Sequence, residues 1–291
     1  DPEQPLPLPQ STAKPVTTRG SPVGGTSIMS FQPIIPSDGI VGWNFLQATY
    51  DKQFETFTKD AVLQRETDYF MENIGNVKSA EDLVGDTRLL EVALDAFGLG
   101  EDVYKKAFVI KVLQDGTSAD DALANKLGDD RYVKFSEAFG FGPGDTVKTG
   151  VVQDMADLVF TNKVQAFEEA VGEQDHSMRV AMYGERELAN LATDGTSVNT
   201  QWFNVMGQPA LREMFEVALG LPESLSKIDL DQQLDAFKSK AEIVFGTSDI
   251  SEFDDPDMMN KLVNTYLARQ QIADFSASQS SGATALMLLQ F

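Results

Sequence analysis

GDTRLLEVALDAFGL, residues 85–99, decides the fold class: it is an apolar helical run that stops at Gly98 and is followed by the large apolar Leu99. A helix that ends on a left-handed glycine has this order, because glycine takes positive φ without strain and the next side chain folds back on the last turn. The same order closes GQPALREMFEVALGL, residues 207–221. The two blocks overlay without a gap and match at Gly85/Gly207, Leu89/Leu211, Glu91/Glu213, Ala96/Ala218, Gly98/Gly220 and Leu99/Leu221. The ending occurs a third time as Ala138-Phe139-Gly140-Phe141. Two readings stay open: duplication of a helical unit, or three helices that are independently well capped.

Outward from these blocks the period stays helical. Trp43, Leu46, Tyr50, Phe54 and Phe57 follow spacings of three and four, which place them on one helix face. Further helices are expected near 80–97, 102–114, 118–127, 130–139, 148–171, 176–192, 208–219, 230–245 and 256–275. Ser79 to Asp82 and Ser118 to Asp121 have capping-box spacing, and Asp255-Pro256-Asp257 puts a cap before a proline at the first helical position. Alternating β-branched runs joined by Asn-Gly or Asp-Gly turns are missing. The expected fold is all-α, a multi-helix bundle with an internal echo.

Eight of the 12 prolines fall within residues 1–36 among Ser, Thr and Gly, so residues 1–37 are expected to be disordered. Met29-Ser30-Phe31 looks like a native start, which would make residues 1–28 either an artificially appended segment or an upstream extension. Breaker-rich stretches at Gly140–Gly144 and Thr193–Ser197 divide the remainder. The expected parts are a helical half at 38–145, a helical hairpin at 146–198, a second half at 199–275, and a linker with an apolar tail at 276–291.

Composition limits the function classes. With 45 acidic against 23 basic residues the formal charge is −22, which disfavours nucleic acid and anionic lipid as partners. The absence of cysteine removes disulfides, zinc thiolates and thiol nucleophiles. No apolar run of about 18 residues and no basic-then-apolar leader is visible, so neither membrane insertion nor a Sec signal is expected. If the protein leaves the cytoplasm, a route other than Sec is expected.

The sequence offers little chemistry. His176, the one histidine, stands between Asp175 and Ser177 with no nucleophile elbow or second metal-binding histidine, and reads as a surface or capping residue. The acidic stretch Asp249 to Asp257 lacks the ligand spacing and central glycine of a calcium loop. The pairs Asp120/Asp121, Asp129/Asp130 and Glu168/Glu169 are sequence neighbours, which disperses them around a helix. Gly98-Leu99-Gly100 and Gly140–Gly144 have no Gly-Lys-Ser/Thr ending and follow helices. No catalytic, cofactor-binding or metal-binding residue is assigned, and no enzyme activity or cofactor is expected. The end of the chain differs: after Ser276–Gly282 comes apolar Ala283–Phe291, in which Leu286, Met287, Leu289 and Phe291 are the candidate contacts with a protein partner.

Met29-Ser-Phe-Gln-Pro-Ile-Ile-Pro36, Gly42-Trp43 with Phe45-Leu46-Gln47, the block from Asp86 to Leu99, and Leu127–Tyr132 before Ala138–Phe141 together resemble the alphaproteobacterial family called domain of unknown function 1217. The resemblance covers residues 29–291 and implies a flagellar setting, since members are typically encoded beside flagellar genes; it supplies no catalytic residue. Ile272–Gln290 is also similar to the terminal helix of flagellins. The expected function is a non-enzymatic, flagellum-associated protein, as structural component, export substrate or assembly factor. Its expected partners are flagellar components or further copies of itself. The alternatives are a cytoplasmic regulatory or chaperone-like protein for flagellar export and, less favoured, a carboxylate-dependent hydrolase.

Overall fold

A computed structural model describes residues 31–193 and 195–288, without the side chains of residues 223 and 278–288. Expectations for residues 1–30, Leu289 and Phe291 lie outside the described residues. Among the described residues there are thirteen α-helices and no strand. The first seven are α1 (Gly39–Phe57), α2 (Ala61–Asn73), α3 (Ala80–Gly85), α4 (Thr87–Asp95), α5 (Lys106–Asp115), α6 (Leu123–Lys126) and α7 (Asp130–Phe139). The other six are α8 (Val152–Gly172), α9 (His176–Thr193), α10 (Val198–Gly207), α11 (Pro209–Leu219), α12 (Leu230–Phe245) and α13 (Pro256–Leu288).

The sequence echo is a structural one. Ser79 caps α3 and Ser197 caps α10 through their hydroxyls. Each helix ends on the matched glycine, and one extended residue follows, Asp86 at φ −101°, ψ 106° or Gln208 at φ −99°, ψ 115°. The next helix then closes identically. Leu99 N–H donates to the Leu94 carbonyl at 2.9 Å and Leu221 N–H to the Glu216 carbonyl at 2.8 Å. Between them Gly98 and Gly220 sit at φ +65° and +64°, the left-handed step that such a six-to-one closure needs. The neighbours correspond as well: α2 packs on α4 as α9 packs on α11, and α3 meets α4 and α5 as α10 meets α11 and α12. This correspondence favours duplication over independent capping.

Several boundaries differ from expectation. The helix expected at 80–97 is broken at Asp86, whose carboxylate accepts from Arg88 and Leu89 N–H and restarts the chain as α4. The capping box at Ser118 is unused; Asn125 donates to the Thr117 and Ala119 carbonyls and Asp115 accepts from Leu123 N–H, leaving only the short α6. The helix expected from 102 starts at Lys106 after a 3-10 turn, and the one expected from 148 starts at Val152. Helices α2 and α10 were not expected. The final helix does not stop at 275: α13 keeps helical backbone to Leu288, so the expected linker 276–282 is part of it.

Two hydrophobic cores form, and membership does not follow chain order. The first gathers α2–α7 with Met155, Leu158 and Val159 from the start of α8. The second gathers α9–α13 with Phe167 and Val171 from the end of α8, and also Trp43 and Leu46 of α1. The first helix of the chain therefore serves the second core, while the opening turns of α8 serve the first. An ionic cluster ties the two cores together. Arg186 of α9 donates to both oxygens of Glu168 on α8 at 3.0 and 3.1 Å and also pairs with Glu187. Glu187 in turn holds Lys134 of α7 at 2.7 Å. Burial pushes the Glu168 carboxyl upward, and the Arg186 guanidinium opposes that shift.

Candidate functional site

The helix that carries the candidate contacts begins inside the protein and leaves it. Leu262, Val263, Tyr266 and Leu267 of α13 are at most 1% exposed in the second core, whereas every residue from Gln271 to Ala277 is exposed. At about 100° per residue, Ile272 lies about 180° and Phe275 about 120° around the helix from Val263. Both apolar side chains thus face away from the core, 66% and 63% exposed. Beside this stretch, the starts of α1 and α9 and the turns of α13 through Phe275 enclose an open depression of about 590 Å³ that includes Asp38, Asp175, His176 and Asp274. Leu286 and Met287 continue the same helix backbone.

The other sequence candidates separate into structural roles. His176 is the first residue of α9, exposed, with its Nε2 3.1 Å from Glu213 Oε2 on α11. Glu213 also accepts from Tyr266 O–H at 3.2 Å, so the histidine joins a surface link between helices. Asp175 points elsewhere, accepting from Met178 N–H at the start of α9. In the acidic stretch, Asp249 accepts from Ser251 N–H and Asp255 from Asp257 and Met258 N–H, so both carboxylates serve turns and the start of α13. Among the described residues no group of three or more metal-ligating side chains is placed to hold an ion. The neighbouring carboxylates diverge: Asp129 binds Arg131, Asp130 binds Lys134, Glu168 binds Arg186 and Glu169 binds Arg179. No described helix is long and apolar enough to cross a membrane.

One titrating group escaped the sequence. Asp95, half-buried at the end of α4, is pushed up to about 6 by desolvation and by the like charges of Glu169 and Glu91. Sequence shows only an acid at a helix C-terminus, where the dipole also disfavours negative charge; Glu169 comes from another helix. Because the folded pKa is raised, the native state keeps its proton longer than the unfolded chain, and this group's contribution falls as pH rises from about 4 to about 6. Asp95→Asn should therefore stabilise the protein by about 1–3 kcal/mol at pH 8 and by little at pH 4. Urea unfolding at the two pH values checks this, and an equal effect at both contradicts it.

A family model described as "Protein of unknown function (DUF1217)" matches residues 96–259, more than half of the chain. The chain belongs to this family. The DUF1217 match runs from the residue after α4 to the start of α13, leaving α1–α4 outside it. The protein is also similar to an X-ray crystal structure of a protein from Agrobacterium tumefaciens, at 26% identity and a TM-score of 0.68, over 83% of this chain and 99% of that one. No curated protein matches the sequence.

Proposed function

We propose that this DUF1217 protein is a non-enzymatic, flagellum-associated component that makes protein contacts through the outward face of α13. The observation that carries the reading is Ile272 and Phe275, two large apolar side chains exposed on a helix that continues beyond the core. Exposed apolar surface on an ordered helix is characteristic of helix-to-groove and helix-to-helix recognition. The flagellar setting comes from the family resemblance, whose members are typically encoded beside flagellar genes; the similarity of Ile272–Gln290 to the terminal helix of flagellins joins that setting to this segment, and the charge of −22 directs recognition toward protein rather than nucleic acid.

The test pairs stability with motility. Ile272→Asp/Phe275→Asp and deletion of residues 283–291 should each abolish swimming of the host cells, or reduce it several-fold, while Tm stays within a few degrees, because exposed positions contribute little to folding. Unchanged swimming would sink the proposal. A Tm lowered by ten degrees or more would show instead that the segment belongs to the protein's own core.

A further inference from the structure

The depression of about 590 Å³ beside α13 is lined by three aspartates and by no lysine or arginine. Asp38 comes from the start of α1, Asp175 from the turn before α9 and Asp274 from α13 itself. The acids at the seam between the two cores are neutralised, Asp129 by Arg131, Asp130 and Glu187 by Lys134, and Glu168 by Arg186. Among the described residues Asp38 and Asp274 have no such cation. Asp38 holds the cap position of α1 without a side-chain bond to it, and Asp274 accepts from Gln270 on its own helix at 3.2 Å.

Apolar surface adjoins this charge. Phe275 stands on the rim of the depression and Ile272 lies about 60° further round the helix, 63% and 66% exposed. Leu267, 1% exposed, lines the floor. The outward face of α13 therefore sets an apolar strip beside an acidic hollow, and its complement carries apolar and cationic side chains next to each other.

Charge separates the candidate occupants. A second copy of this chain brings a further −22 and the same three aspartates, and an anionic membrane or nucleic acid is repelled in the same way. A bare metal ion is not held, because among the described residues no group of three or more ligating side chains is placed for one. A basic amphipathic helix satisfies both halves of the face. Its lysine or arginine stems lie along Leu267 and Phe275 while their charged heads reach the carboxylates, and its apolar stripe covers Ile272.

We propose that the outward face of α13 and the depression beside it bind a basic amphipathic helix of a partner protein, with lysine or arginine side chains on Asp38 and Asp274 and apolar side chains on Ile272 and Phe275. This assignment rests on α13 being the docking face and adds the chemistry of the partner.

The probe is the leucine–lysine peptide LKKLLKLLKKLLKL, acetylated and amidated, titrated into the full chain labelled with ¹⁵N. Saturable shifts confined to the amides of residues 38–41, 174–177 and 267–277 are expected, with a micromolar Kd. That Kd should weaken several-fold as NaCl rises to about 1 M, where charges are screened within about 3 Å. Asp38→Asn/Asp274→Asn should weaken it about fivefold at an unchanged Tm, because both positions are exposed and asparagine caps a helix as well as aspartate does. Absence of saturable shifts, shifts scattered over the acidic surface, or an unchanged Kd in the double variant overturns the proposal. Tighter binding of spermine, which has no apolar face, overturns it too. Equal binding of the glutamate counterpart LEELLELLEELLEL overturns the cationic partner but keeps α13 as an apolar docking face. The docking face itself fails if cells carrying Ile272→Asp/Phe275→Asp swim normally.

Discussion

Replacing Arg186 by Met is expected to destabilise the protein by about 3–5 kcal/mol, because removal of one partner strands buried charge. Glu168 is 2% exposed and has Arg186 as its ion-pair partner, and among the described residues Glu187 keeps Lys134. The deficit should shrink toward pH 4, where the stranded Glu168 can neutralise itself by taking up a proton, its carboxyl already raised by burial. The double variant Arg186→Met/Glu168→Met removes the orphan and leaves the Glu187–Lys134 pair in place. It should recover most of the loss, since a buried ion pair replaced by apolar groups of similar size is often near neutral. Guanidinium unfolding of the three proteins at pH 7 decides it. A single-variant cost below about 1 kcal/mol would mean that Glu168 is hydrated or re-paired and that the cluster is not what joins the cores.

The fold class was legible because it depends on local chemistry. Gly98, Gly140 and Gly220 all sit at positive φ just past a helix end, as their apolar neighbours require. What failed to show was set by distant residues. Helix α10 reads VNTQWFNVMG, poor in strong helix formers, and is held by Trp202, Val205 and Met206 in the second core. Helix α2 buries only Thr67 and Phe70, too few to make a periodic signal. The serine at 118 has the spacing of a cap, but Asp115 and Asn125 hold the segment as turns instead. For the sites, sequence singled out His176, which joins a surface link to Glu213 on α11, and the acidic stretch, whose carboxylates serve local turns. The Asp95 shift could not be seen, because it depends on which helix faces it. Periodicity likewise says that α1 buries a face, not which core receives it.

That last point yields the other large expected effect. Phe167, on the second half of α8, is fully buried and receives three aromatic rings of α1 edge-on: Tyr50 and Phe57 at 5.4 Å and Phe54 at 5.7 Å between centroids. Phe167→Ala should cost about 3–5 kcal/mol, from lost transfer free energy and from a cavity that rigid helices cannot close. Phe167→Leu, which keeps most of the volume, should cost clearly less. The loss should also be unevenly distributed. Helix α1 packs on α8, α9 and α13, so its attachment runs through the second core although the chain connects it to the first. Weakening this contact should lower the free energy of local opening for residues 39–57 more than for α4, whose buried Leu89, Leu90 and Val92 lie in the other core. Native-state hydrogen exchange reads both segments in one experiment. If α1 and α4 lose protection equally, the two cores open as one cooperative unit, and the exchanged placement of α1 and α8 couples them instead of leaving α1 as a separable strap.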